Sequence, residues 1–163
     1  MKITKDQLRA WDACREGYEW FLQNFPEGEG KYQAVLDRLA DDGKPDYAKW
    51  LIEKAGSDGS VLELDTVIGR KYLFAAGSVH VVGAVNVEAS IYVAGRIKAG
   101  WGIKAGLGIK AGLGIEAGWG IEAGYDYGIY AGLSVRVSLR QSDAKVIANA
   151  KPNNLISGYW SGS

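Results

Sequence analysis

The sequence predicts an α+β protein, in which a small N-terminal three-helix module precedes a three-sided parallel β-helix with about 18 residues per coil. Three observations support this fold class. A six-residue repeat runs from residue 73 to 125, opposite charges recur 18 residues apart within it, and apolar residues before residue 58 follow helical spacing. A short fixed period is typical of a solenoid, in which each repeat buries its apolar side by stacking on its neighbours.

The repeat places an aliphatic residue at every sixth position and a small or branched apolar residue two positions later. Two successive copies read Ile97-Lys-Ala-Gly-Trp-Gly102 and Ile103-Lys-Ala-Gly-Leu-Gly108. Apolar and polar residues alternate, which indicates extended chain with one side facing inward. A helix is disfavoured because each Gly would cost about 1 kcal/mol relative to Ala. We expect the chain to bend at the Gly pairs, since Gly tolerates positive φ. These pairs flank four large side chains, Trp101, Leu107, Leu113 and Trp119.

Charge decides how many hexads form one coil. With two hexads per coil, Lys98 would lie over Lys110, and like charges in contact are destabilising. With three hexads per coil, the vertical neighbours lie 18 residues apart and oppositely charged or aromatic residues coincide. The predicted stacking pairs are Lys98 with Glu116, Lys104 with Glu122, and Trp101 with Trp119. Hexapeptide β-helices, which this repeat resembles, are left-handed, so the resemblance implies that hand here.

The first 58 residues predict the helical module. Thr4 to Gln7 fits a capping box, and apolar residues from Leu8 to Phe25 then follow the spacing of one helical face. We expect this helix to end at Pro26, a second helix over 32–40, and a third that opens at Pro45 and closes at Gly56. A core of this size is marginal alone. The module should therefore pack against the first coil of the solenoid or against another subunit.

Residues 59–140 predict the β-helix, with nearly four coils. Val61 to Ile68 is interpreted as the entering strand and Leu133 to Leu139 as the last coil. A two-residue insertion shifts the phase at Tyr125 to Gly128, and the pattern resumes at Ile129. Residues 141–163 are interpreted as a C-terminal cap or tail.

Composition argues against several functional classes. Nineteen basic and nineteen acidic residues give a formal net charge of zero, so no global field draws the chain to nucleic acid or to a membrane. Lys98, Lys104 and Lys110 would point to three different faces, which argues against a nucleic-acid stripe. One His and one Cys far apart predict no metal site, and no cofactor is expected. The single Cys14, with no signal peptide or membrane span, favours a cytoplasmic protein.

His80 is the only histidine in the chain. Acyltransferases of the hexapeptide β-helix type use one histidine as general base, so an acyltransferase with His80 in that role is an alternative. Against it, the hexads are nearly invariant, and a long pocket-forming loop is missing from the repeat. We interpret His80 as a surface residue and expect a protein without enzymatic activity.

Two groups of aromatic residues are candidates for partner binding. The insertion presents Tyr125, Asp126 and Tyr127 on an otherwise regular coil, and ejected loops often carry contacts. The helical module supplies Trp11, Trp20 and Trp50. Trp101 and Trp119 either fill a corner or the core of the coil, or form an exposed aromatic ladder suited to partner binding. These features favour a non-enzymatic protein that binds a protein partner; a structural protein that forms homo-oligomers is a further alternative.

The helical opening and the hexads together resemble a known family. The opening reads Leu8-Arg-Ala-Trp-Asp-Ala-Cys-Arg-Glu-Gly17, followed by Trp20-Phe21 and Phe25-Pro26, and precedes Gly-Ile-Lys/Glu-Ala-Gly hexads. This sequence pattern resembles that of an uncharacterised family of small proteins encoded by bacteria and their phages. The resemblance implies a mobile-element origin. It favours an inhibitor of bacterial immunity, such as an anti-CRISPR protein, that acts by binding a host defence complex.

Overall fold

The computed structural model describes residues 1–162 and contains a helical module followed by a parallel β-solenoid. The solenoid has about six turns of about 18 residues each, so the prediction of nearly four coils is wrong. Strands before residue 73 and after residue 140 add the further turns. In the module, two short strands pair antiparallel beside four helices. Its elements are β1 (Lys2–Thr4), α1 (Lys5–Ala10), α2 (Arg15–Asn24), β2 (Glu29–Lys31), α3 (Tyr32–Asp41) and α4 (Pro45–Ala55).

The capping box is confirmed, but the long first helix is divided. Thr4 Oγ1 accepts from the backbone N–H of Gln7 at 3.2 Å, and Gln7 Oε1 accepts from the N–H of Thr4 at 2.9 Å. The prediction of one helix up to Pro26 is wrong because Asp12 takes a φ of 58°, which ends the helical path after Ala10. Helix α2 then restarts with the Cys14 sulfur as its N-cap. The other two predicted helices are confirmed.

Three parallel sheets form the walls of the solenoid. Sheet I has the strand order β3-β6-β9-β12-β15-β17, sheet II has β4-β7-β10-β13, and sheet III has β5-β8-β11-β14-β16. The strands are β3 (Val61–Leu64), β4 (Val67–Arg70), β5 (Leu73–Ala75), β6 (Ser78–Val81), β7 (Val85–Val87), β8 (Ile91–Val93), β9 (Ile97–Ala99), β10 (Ile103–Ala105), β11 (Ile109–Ala111), β12 (Ile115–Ala117), β13 (Ile121–Glu122), β14 (Ile129–Tyr130), β15 (Lys145–Ile147), β16 (Leu155–Ser157) and β17 (Tyr159–Trp160).

The register confirms the length of the coil. Lys98 on β9 is the partner of Glu116 on β12, and Lys104 on β10 is the partner of Glu122 on β13. The first residue of each hexad points inward, and Ile97, Ile109 and Ile115 are fully buried. The left-handed sense of the coil stays a prediction from resemblance.

The corner glycines serve close packing between coils rather than positive φ. Positive φ is absent from Gly95 through Gly128 in the described chain, so the expected reason for these glycines is wrong. A Cβ at Gly100 would lie 2.0 Å from the carbonyl oxygen of Val82, one coil earlier. The first glycine of each pair therefore lets adjacent coils meet at a corner. The second is looser at Gly102, where the nearest atom would be 3.5 Å away, but not at Gly114, where the carbonyl oxygen of Lys145 would lie at 2.7 Å.

The C-terminal part of the solenoid differs from expectation. Ile129 and Ala131 return to the core as predicted. The chain then leaves the coil at Gly132, whose φ of 76° and contact with Ala144 leave no room for a side chain. The predicted strand from Leu133 to Leu139 is wrong, because Val137–Leu139 is a 3-10 helix and α5 (Arg140–Asp143) follows. Strands β15, β16 and β17 instead continue sheets I and III, so the solenoid extends beyond residue 140 into the segment interpreted as a cap.

The module packs against the outer face of sheet III at the first coils. Phe74 on β5 is 4% exposed and belongs to the core of the module. Gln33 on α3 donates to the carbonyl of Phe74 and accepts from the N–H of Ala76, both at 2.9 Å. The Phe74 ring also stacks on Tyr92 of the next coil, at 5.6 Å between centroids. The expected contact between the module and the first coil is confirmed.

Candidate partner-binding surfaces

Trp101 and Trp119 form an exposed stack at the corner between sheets I and II. Their ring centroids are 5.5 Å apart and their planes differ by 9°. The backbone N–H of Trp119 donates to the carbonyl of Trp101 at 3.2 Å, which keeps the two corners in register. The side chains are 51% and 59% exposed. Of the two orientations considered from sequence, the structure shows the exposed ladder, and packing of these indoles into the core is wrong.

The ladder ends at Trp101 because of the residue above it. Gly83 holds the same corner one coil earlier and accepts the backbone hydrogen bond of Trp101 at 3.1 Å. Since Gly83 has no side chain, no ring from that position covers the second face of the Trp101 indole. On the other side, Asn149 donates its N–H to the carbonyl of Trp119 at 2.9 Å. The stack is thus held on the backbone of both neighbouring coils.

A groove of about 1090 Å³ lies beside this stack over sheet II. Sheet II has four strands where sheets I and III have six and five. The segment 149–154 forms a wall of the groove. Trp119 and Tyr125 line it with Lys104 and Glu122, so aromatic rings and both signs of charge border one space. Such a surface is suited to aromatic and ionic contacts with a binding partner.

The insertion loop projects next to the groove with a fixed backbone. Tyr125 is 97% exposed, Asp126 is exposed, and Tyr127 is 49% exposed. The side-chain amide of Asn154 donates to the carbonyl of Tyr127 at 2.7 Å and to that of Gly124 at 3.2 Å. The structure therefore brings Tyr125 together with Trp119, a combination that the sequence analysis did not foresee.

The charged stacking pairs are neighbours without close ion pairing. Neither Lys98 with Glu116 nor Lys104 with Glu122 approaches within 4.0 Å among residues 1–162. Lys110 differs, because its ammonium lies 5.1 Å from the ring centroid of Tyr130 and 5.9 Å from that of Tyr92. Burial, helped by the neighbouring Lys49, lowers the pKa of Lys110.

His80 lies on the outward face of sheet I between Glu63 and Lys98. Its Nδ1 is 2.9 Å from Glu63 Oε2, and both side chains are substantially exposed. The pair is on a different wall from the groove, and His80 does not line that groove. In the part of the chain that the structure describes, no group of three His, Cys, Asp or Glu side chains could hold a metal ion. None of its helices meets the length and hydrophobicity needed to span a bilayer.

The tryptophans of the module divide between two environments. Trp20 and Trp50 line a cleft of about 300 Å³ together with Tyr47, and all three are half-buried. Trp11 lies at the C-terminal end of α1, outside the lining of the cleft. The cleft is separate from the groove over sheet II. Sequence reasoning missed Tyr47 and the 149–154 segment, since neither belongs to a repeat or a recognisable motif.

Comparisons with known proteins match the module. Residues 1–58 match the model of a family described as the YdhT N-terminal domain. An "Uncharacterized protein YdhT" of Escherichia coli (strain K12) is 40% identical over 55 residues, which is 34% of this chain and 20% of the relative. The match thus spans a fifth of the relative's length. No solved structure matches the chain. The module is therefore similar to a domain of an uncharacterised family, and the hexads lie outside the matched residues.

Proposed function

We propose that this protein is a non-enzymatic binding protein whose target is another protein. The stacked and exposed Trp101–Trp119 pair carries this proposal. Tryptophan and tyrosine are enriched among the residues that dominate the binding energy of protein interfaces. Covering about half of two indoles removes on the order of 200 Å² from water, a gross gain of about 5 kcal/mol before the costs of association.

The rigidity of the scaffold supports the same proposal. The indoles stand on hydrogen-bonded corners of a parallel solenoid, and Asn154 ties down the Tyr125 loop. A surface that is ordered before binding loses little conformational entropy when a partner arrives. Lys104 and Glu122 beside the rings favour a partner with both signs of charge, which suits a protein more than a nucleic acid.

The proposed test compares binding by matched variants. Tagged wild-type protein, the double variant W101A/W119A and the control L133A are used for affinity capture from a bacterial lysate under several growth conditions. Leu133 is similarly exposed, at 53%, but lies away from the stack. We expect a specific protein to be captured by wild type and L133A and lost with the double variant. Capture that is equal for all three, or no specific protein in any condition, contradicts the proposal.

A narrower proposal rests on the resemblance to bacterial and phage proteins. The partner would be a bacterial immunity complex, and the protein would inhibit it in the cytoplasm by occupying a surface that the complex needs. Expression in a strain whose CRISPR system clears a targeted plasmid should then restore plasmid survival, and W101A/W119A should abolish the effect. Clearance of the plasmid at the normal rate would contradict this narrower proposal. The broader proposal of a binding protein would then still be tested by the capture experiment.

One contact favours an enzymatic alternative. The carboxylate of Glu63 orients the imidazole of His80 at 2.9 Å, as a general base requires. An acyltransferase of the hexapeptide type would bind acetyl-coenzyme A, and calorimetry measures this directly. Tight binding that is lost in His80→Ala would favour the enzyme over the binding protein.

Another observation favours self-association. Strands β3 and β4 each have one unpaired edge within the described chain, and Val61 and Ile68 beside these edges are 57% and 66% exposed. A structural protein would assemble end to end through this first coil. Light scattering over a range of protein concentrations tests this assembly, because a molecular mass that stays at the monomer value excludes it.

A further inference from the structure

The cleft of the helical module has a floor of aromatic rings. Trp20 and Phe21 come from α2, and Tyr47 and Trp50 come from α4. The Trp20 Nε1–H donates to the Asp42 carboxylate at 2.7 Å, which fixes that indole. Leu8, Leu39 and other aliphatic residues complete the walls. A volume of about 300 Å³ is at the lower end of the range of small-molecule pockets.

Gly17 on α2 lines the cleft near Tyr47 of α4. A Cβ at this position would lie 3.2 Å from the Cys14 sulfur and 3.9 Å from Cζ of Tyr47. The Tyr47 ring therefore lies close to the backbone of α2 at the border of the cleft.

The charged side chains that line the cleft are both acidic. Asp12 and Asp46 line it and are both exposed, and its lining includes no Lys, Arg or His among the described residues. Neither carboxylate makes an ion pair within 4.0 Å over residues 1–162. The faces of aromatic rings attract cations, and the two carboxylates add to this attraction. The protein already uses the effect beside the cleft, where the ammonium of Lys44 lies 5.1 Å from the Tyr47 ring centroid.

We propose that this cleft binds a small organic cation of the alkylammonium class. The alkyl groups contact the rings of Trp20, Tyr47 and Trp50, and the positive charge faces Asp12 and Asp46. Charge complementarity favours this ligand over a neutral apolar molecule, because a neutral molecule gains no electrostatic attraction from the two carboxylates. Lys44 already lies over the Tyr47 ring, so the ligand contacts the indoles of Trp20 and Trp50 more than that ring. This site is separate from the aromatic face of the solenoid and does not depend on the function proposed for it.

The test uses three probes of nearly the same shape and different charge. Calorimetry on the full chain measures choline, its neutral isostere 3,3-dimethylbutan-1-ol, and the anion 3,3-dimethylbutanoate. We expect saturable binding of choline at one site, about tenfold weaker binding of the neutral alcohol, and no binding of the anion. No saturable binding of choline, or equal affinity for choline and the alcohol, overturns the proposal.

Matched variants locate the site. Asp12→Asn and Asp46→Asn should each weaken choline binding several-fold, and Asn tolerates the positive φ of residue 12. Glu27→Gln removes the same charge from an exposed position outside the cleft and should leave binding unchanged. Trp50→Leu should reduce the preference for choline over the alcohol. If Trp50→Leu fails to fold by circular dichroism, the two Asp variants decide the outcome. Unchanged choline binding in both of them overturns the proposal.

Discussion

Replacing Gly118 with Ala tests whether the corner glycines are needed for the close approach of coils. The new Cβ would lie 2.0 Å from the carbonyl oxygen of Gly100 and 3.0 Å from its carbon. The carbonyl must retreat by about 1 Å or more to restore an ordinary contact. It cannot do so locally, because adjacent coils are joined here by backbone hydrogen bonds.

The expected loss of stability follows from those bonds. Gly118 donates to the carbonyl of Ala99 at 3.1 Å, and Trp119 donates to that of Trp101 at 3.2 Å. Each hydrogen bond contributes about 1 kcal/mol and the indole stack about 0.5–1.5 kcal/mol. The free energy of unfolding should fall by about 2–4 kcal/mol. At about 2–4 °C per kcal/mol for a domain of this size, the melting temperature should drop by about 5–15 °C.

The control lies two residues further along the same corner. A Cβ at Gly120 would meet no atom closer than Asn149 Oδ1 at 3.7 Å, and Gly120 has no positive φ. Gly120→Ala should be neutral or stabilise by up to about 1 kcal/mol, since Ala restricts the unfolded chain. Thermal and urea unfolding followed by circular dichroism measure both variants. Equal losses for the two, or a larger loss for Gly120→Ala, would refute the close-approach explanation.

Two further predictions concern the helical module. Burial, with a smaller contribution from the Asp58 carboxylate, raises the pKa of Tyr32. As pH rises past about 10, the Tyr32 hydroxyl therefore loses its proton in the unfolded chain before it does so in the folded chain, and the free energy of unfolding falls. Tyr32→Phe should reduce that alkaline loss of stability, and it should cost about 1 kcal/mol at neutral pH because the hydrogen bond to the Gly56 carbonyl is lost. Urea unfolding at neutral pH and at about pH 10.5 measures both effects. An unchanged dependence of stability on alkaline pH contradicts the prediction. Gln33→Ala should lower the free energy of unfolding by about 2–4 kcal/mol, because the carbonyl of Phe74 and the N–H of Ala76 lose their hydrogen-bond partner. The control Gln23→Ala, at an exposed position, should change it by less than about 0.5 kcal/mol. Urea unfolding measures both variants. Similar losses for the two Gln variants would show that this contact does not join the module to the solenoid.

The length of the coil was predictable because the repeat records it directly. Lys98 and Glu116 carry opposite charges, and only three hexads per coil bring them together without opposing like charges. The capping box at Thr4 was predictable for a related reason, since its hydrogen bonds join residues three apart in the chain. Local patterns of this kind need no knowledge of the tertiary structure.

Other features depend on contacts between distant residues. The direction of the Trp101 side chain was not predictable, because alternation within a hexad does not fix which way a corner residue turns. The break at Asp12 rests on one backbone angle in a stretch whose apolar spacing fits a continuous helix. Val137 alternates with polar neighbours as a strand residue would, yet it is 88% exposed because Gly132 has already turned the chain out of the coil.

The proposed binding face combines the Trp101–Trp119 stack of the regular hexads with two segments that interrupt the repeat. Regular hexads give each coil the same inward residues, and two of the three outward columns place a Lys beside a Glu. The insertion at Tyr125 disturbs the repeat on one side of sheet II, and the 149–154 segment borders the groove where that sheet stops at four strands. Both irregular segments border the groove, and the Asn154 side chain joins them. Substitutions of the inward residues of the hexads should therefore change stability, whereas truncation of the exposed Trp119 or Tyr125 side chain should change binding.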